Sequence, residues 1–110
     1  MKERKLLRNA AKPPQRSEVV IAIGWYSLRD WQLLKRVAAD SESLHATYRE
    51  WVDEVERTIA AFRDAGTTVG KLEVDVEELQ QWCRERSLEN TAANRATFIA
   101  EKNRVRGTRF

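Results

Sequence analysis

The run Val19–Val20–Ile21–Ala22–Ile23 limits the possible folds of this chain more than any other segment. Five consecutive apolar residues, four of them β-branched, have the length and composition of a strand. A strand with one wet face alternates apolar with polar, and this one does not. It therefore needs cover on both faces, as an inner or parallel strand has. Gly24 is expected to end it.

A different period follows. Leu44, Tyr48, Trp51, Val55, Ile59 and Phe62 recur in steps of four, three, four, four and three. That is one stripe of a 3.6-residue helix held for six turns, so a helix is expected from about Glu42 to Ala65. Asp40 or Ser41 is the expected start signal and Gly66 the left-handed stop. The opposite face carries Arg49, Asp53 and Arg57 at i,i+4 spacing. Between the strand and this helix, Ser27 precedes Asp30 by three residues in a capping-box arrangement. It opens a helix with Leu28, Trp31, Leu34, Val37 and Ala38 inward.

After Gly70 the alternation changes again. Leu72, Val74 and Val76 interleave with Lys71, Glu73 and Asp75, which describes a strand with one charged face, placed at a sheet edge. Asp75, with Glu78 three positions on, is expected to cap a helix to about Ser87 with Leu79, Trp82 and Cys83 inward. Asn90 is the expected cap of a last helix through Ala93, Ala96 and Ile99.

The order implies a small two-layer α/β (α+β) domain, β-α-α-β-α-α, with a two-stranded parallel sheet and one long amphipathic helix. A connection of roughly forty residues is long enough for the crossover that parallel strands require. Residues 1–17 read as a basic arm behind Pro13–Pro14, residues 18–102 as the domain, and 103–110 as a basic tail. Two strands alone make a poor sheet. Either a third strand joins or strands of two copies combine, and the second option predicts a homodimer.

The chain of 110 residues carries a net charge of +3 that is unevenly spread. Residues 1–16 hold +5 and residues 101–110 hold +3, which leaves the body at −5. A uniformly basic nucleic-acid binder is a poor description of such a chain. The single cysteine forms no internal disulfide, which points to a reducing compartment. No apolar run approaches the roughly 20 residues of a membrane span, and the N-terminus lacks the apolar core of a signal peptide. A cytoplasmic protein with no membrane partner is expected.

Most catalytic templates fail on inventory. One histidine, His45, and one cysteine, Cys83, build no metal site, and Cys83 shares the inward side of its helix with Leu79. The four glycines are scattered, so no phosphate-cradling loop is present. Carboxylates cluster at Glu50/Glu54, Asp53/Glu56 and Asp75/Glu77/Glu78, on a charged helix face or in a capping position. No cofactor, metal or catalytic residue is assigned.

Two places remain for function. Parallel strands would gather Trp25, Tyr26, Arg29 and Asp75 at their carboxyl ends, where ligands of open α/β sheets bind. The basic termini, with Lys2, Arg4, Lys5, Arg8, Lys12, Arg16, Arg104, Arg106 and Arg109, would suit a nucleic acid or an acidic partner. No stacking aromatic is interleaved with them except Phe110, and no DNA-binding motif is spelled out. Four tryptophans in so short a chain favour an interaction or accessory protein that binds an unidentified protein partner, with Trp25, Tyr26, Arg29 and Trp31 as contacts. Nucleic-acid binding by the termini, and a small-molecule site or enzyme at the strand ends, are the alternatives.

Overall fold

The computed structural model describes residues 21–107, with side chains described to residue 105. The basic arm, its six basic residues, Val19 and Val20 lie outside the described residues, as do residues 108–110 with Arg109. The described elements are β1 (Ile21–Trp25), α1 (Leu28–Val37), a short 3₁₀ turn (Ser41–Ser43), α2 (Tyr48–Asp64), β2 (Val69–Glu73), α3 (Val76–Glu85) and α4 (Ala92–Gly107). The fold is mixed α/β in the expected order. β1 and β2 pair in parallel, from Ile21 opposite Val69 to Trp25 opposite Glu73.

The helices divide between the two faces of this narrow sheet. Ile21, Ile23 and Trp25 turn toward α2, where Val55, Ile59, Phe62 and Trp51 meet them with Val69 of β2. Ala22 and Leu72 turn the other way into the main core, with Trp31 and Leu34 of α1, Val76, Leu79, Trp82 and Cys83 of α3, and Phe98 of α4. Leu34, Leu79 and Val76 are fully buried there. Each contributes on the order of 1.5–3 kcal/mol through burial. Both faces of β1 are thus apolar and both are met by helices. All five of its residues nevertheless stay only half-buried.

Gly24 lies inside β1 rather than ending it. A Cβ at this position would stand 2.5 Å from Ile99 Cδ1, so the missing side chain is what lets α4 settle on the strand. The long helix starts at Tyr48, not near Glu42, because Thr47 accepts the Glu50 N–H at 3.1 Å as its cap. Asp40 makes no side-chain cap bond to the 3₁₀ turn, since its carboxylate is engaged elsewhere. Leu28 is 50% exposed, and α1 buries Trp31 and Leu34 instead.

β2 begins at Val69 and ends at Glu73, because Asp75 caps α3 and Val76 is its first residue. The apolar alternation runs on past the strand since Val74 and Val76 both enter the core. Thr91, not Asn90, accepts the Asn94 N–H at the start of α4. α4 continues through residue 107, so the segment expected as a tail from 103 is helical in its described part. The expected Arg49–Asp53–Arg57 ladder is replaced by Arg57 to Glu54 at 3.0 Å and by Lys71 of β2 to Glu56 at 2.9 Å.

Candidate functional site

The carboxyl ends of both strands lie at one edge of the sheet, beside the N-termini of α1 and α3, and Trp25, Arg29 and Asp75 are all there. Their polar groups are already engaged within the chain. Ser27 accepts the Asp30 N–H at 3.1 Å. Asp30 Oδ1 crosses to accept the Val76 N–H at 3.4 Å. Asp75 Oδ1 accepts the N–H groups of Glu77 and Glu78 at 2.9 and 3.2 Å. Arg29, exposed, pairs with Glu77 at 3.5 Å and Asp30 at 3.6 Å. The helix N-termini that attract anions thus hold the protein's own carboxylates. A recess of about 390 Å³ remains, lined by Trp25, Val74 and the acids Asp30, Glu73, Asp75 and Glu78.

The aromatic residues seal the sheet against α2, and of them only Trp25 lines this recess. Trp25 and Trp51 meet at 5.0 Å between ring centroids, and Trp51 stacks on Tyr48 at 5.5 Å. Tyr48 meets the edge of Trp31 at 5.8 Å and donates its hydroxyl to the Tyr26 carbonyl at 2.8 Å. Lys71 Nζ lies 4.0 Å from the Trp25 ring centre. Tyr26 is buried, and burial pushes its phenol up to about 12 from 10.0.

A second polar centre had no counterpart in the sequence reading. Arg95 of α4 is buried and grips Asp40 with two parallel bonds, Nη1–Oδ1 at 2.9 Å and Nη2–Oδ2 at 3.0 Å. Its Nη1 also reaches Asn90 Oδ1 at 2.9 Å. Asp40 Oδ2 accepts the Ala92 N–H at 3.0 Å, so Asp40 caps a helix 52 residues away. The hydrogen bonds from Arg95 hold the Asp40 carboxyl below its ordinary range despite some desolvation. The available signal was Arg95 three residues before Phe98, a charge on the buried stripe of a helix.

The third feature is a groove of about 610 Å³ between the outer edge of β1 and α4. Its floor is Ile21, Ala22, Ile23 and Gly24, and its wall is Ala92, Ala96, Ile99 and Ala100. The hydrogen-bond phase of β1 defines its open edge. Ile21 donates to Thr68 and Trp25 accepts from Val74, so the odd residues face β2. Ala22 and Gly24 therefore direct their N–H and C=O groups outward.

A further cleft of about 490 Å³ between α3 and α4 is crossed by Lys102–Glu78 at 2.8 Å and by Trp82 Nε1 donating to Glu101 at 3.2 Å. Cys83 is buried, and desolvation raises its thiol. His45 lies half-buried in the loop before α2. Arg104 is exposed on α4 and Arg106 lies in the same helix. Among the described residues no group of three or more His, Cys, Asp or Glu could hold a metal ion, and no helix is long and apolar enough to cross a membrane.

The chain was compared with models of known protein families, with curated proteins and with solved structures. It matches none of them.

Proposed function

We propose that this protein acts by binding another macromolecule through the β1–α4 groove, as an interaction or accessory protein of a reducing compartment such as the cytoplasm. One contrast carries the reading. The polar groups at the strand ends and around Arg95 are bonded within the chain, whereas the apolar groove is larger than the other two recesses and is not filled by the described residues. Binding sites combine such apolar walls with a few polar groups, here the outward amides of β1. An enzyme site at the strand ends has less support, since Asp75 and Asp30 are occupied as caps.

A second reading, nucleic-acid or acidic-partner binding, is favoured by Arg104, exposed on α4, with Arg106 in the same helix. The test is capture with three proteins: the full chain, Ala96→Arg, and a chain lacking residues 1–16 with Arg104, Arg106 and Arg109 changed to Gln. Truncating residues 103–110 is avoided because it would cut α4. Protein captured by the full chain and lost only with Ala96→Arg supports the groove. Nucleic acid lost only from the neutralised chain, with steep salt dependence, supports the second reading. Capture unchanged by Ala96→Arg defeats the first.

A further inference from the structure

We infer that the occupant of the groove is a second copy of this chain, joined by antiparallel pairing of β1 with β1 across a two-fold axis at Ile23. The inference rests on the groove reading above and names its partner. Among the described residues β1 has one hydrogen-bonded neighbour, β2. Pairing β1 with itself would give a four-stranded sheet, β2-β1-β1′-β2′, in the usual size range.

The sequence of β1 suits its own reverse. With Ile23 opposite Ile23, Ala22 stands opposite Gly24 of the second copy, and these are the residues whose backbone groups point outward. They would exchange both N–H···O=C bonds as a hydrogen-bonded antiparallel pair. On the other face, Ile21 meets Trp25 of the second copy, an aromatic on a β-branched residue. No charge lies anywhere in Ile21–Trp25, so nothing repels. Natural edges are usually guarded by charges or proline, as β2 is by Lys71 and Glu73, and β1 carries neither.

The helices fit the same arrangement. α4 places Ile99 on Gly24 of β1 and Phe98 into the cleft with Leu72 of β2, and it lies closer to β1 than to β2. Strands lie about 4.8 Å apart, so helices packed on two neighbouring β1 strands would approach within roughly 10 Å. That is the upper end of helix packing distances. The side chains toward the junction include Ala92, Ala96 and Ala100, exposed and small enough for that approach, with Asn103 and Arg104 beyond them toward the end of α4.

The chain's own N-terminal residues are a poor substitute. A hairpin folding back on β1 would draw on "KPPQRSE", Lys12–Glu18, which offers two prolines without donors and no aliphatic side chain. α4, at 16 residues, is about 24 Å long. With the strand edge beside it, the patch is on the order of 500 Å² per copy, about 1,000 Å² in total, the lower limit for a specific interface. A weak, concentration-dependent dimer is expected.

The experiment is sedimentation equilibrium of the full chain from 1 to 300 µM, with hydrogen exchange of the β1 amides. The protomer is 12.8 kDa, and the expected result is a rise toward twice that mass. The Ala22 and Gly24 amides should gain protection as concentration rises. Ala22→Pro removes an outward N–H that β2 does not use, and Ala96→Glu places a charge at the helix junction. Each should weaken association at least tenfold, with circular dichroism at 1 µM unchanged. If Ala22→Pro does not fold, Ala96→Glu and the exchange profile decide. A chain monomeric at 300 µM overturns the inference, as does association that neither folded variant weakens. If that monomer still captures a protein lost with Ala96→Arg, the groove reading stands and only the second copy is removed as occupant.

Discussion

The carboxyl end of the sheet and the outer flank of β1 lie within one small fold and have opposite fates. At the carboxyl end, two helix N-termini converge with Ser27, Asp30 and Asp75, whose side chains accept the N–H groups of Asp30, Val76, Glu77 and Glu78. On the flank, Ala22 and Gly24 point their backbone groups away from β2, beside an apolar groove. Short polar side chains satisfy donors a few residues away, so polar ends close locally. An apolar strand edge closes only with another strand, and the described sheet has two. A convergent polar cluster is therefore weaker evidence of a site here than an uncharged strand left half-bare.

If that contrast is right, changes in the bonded regions alter stability and changes in the groove alter association. The largest effect is expected at Arg95. Arg95→Ala should cost about 3–5 kcal/mol in urea unfolding, because Asp40 is left partly buried and unpaired. Stability equal to the parent would show that the polar centre is not what anchors α4. Asp40 also sets an acid limb. Its carboxyl is depressed in the fold, so its contribution is present above the ordinary carboxylate range and is lost as pH falls through the lowered value. Asp40→Asn should be less stable at pH 7 and should converge on the parent in acid.

Next comes Tyr26. A phenol raised from 10.0 to about 12 contributes fully below pH 10, and stability falls as pH rises from there toward 12. Two units correspond to about 3 kcal/mol. Tyr26→Phe should lose that alkaline decline, measured as urea midpoints at pH 9 and 11.5. If the decline persists, tyrosinate formation at this position is not its cause.

The exposed parts of the carboxyl end rank lower. Asp75→Ala removes an acceptor of two N–H groups and should cost about 1 kcal/mol in thermal unfolding. Arg29→Ala breaks only surface pairs, and a loss above about 0.5 kcal/mol would contradict that. Smallest of all is the folding effect of Ala96→Glu, within about 0.5 kcal/mol at micromolar concentration, since the site is exposed. A large loss there would mean that the groove wall belongs to the monomer's own core.

Much of this was legible from local pattern. The strand–helix–helix–strand–helix–helix order, the Ser27 and Asp75 caps and the inward face of α3 each follow from residues within a turn or two of one another. Boundaries slipped where a local signal had a distant competitor. Asp40 looked like a helix start, but its carboxylate serves Arg95 and Ala92, and α2 starts at Tyr48 behind the Thr47 cap. Gly24 looked like a stop, but its bareness serves Ile99, 75 positions on. Tyr26 stood among candidate contacts with Trp25, Arg29 and Asp75, and it is buried under Trp51.

The amino-acid sequence by itself determined the periods, the caps and the number of apolar faces each element must cover. Those depend on φ/ψ preference and on spacing along one helix or strand. Only the tertiary structure decided that Arg95 is buried and that α2 and α4 take opposite faces of the sheet. Those outcomes depend on partners tens of residues apart. The Arg95–Asp40 bond spans 55 positions, and no local window contains both ends.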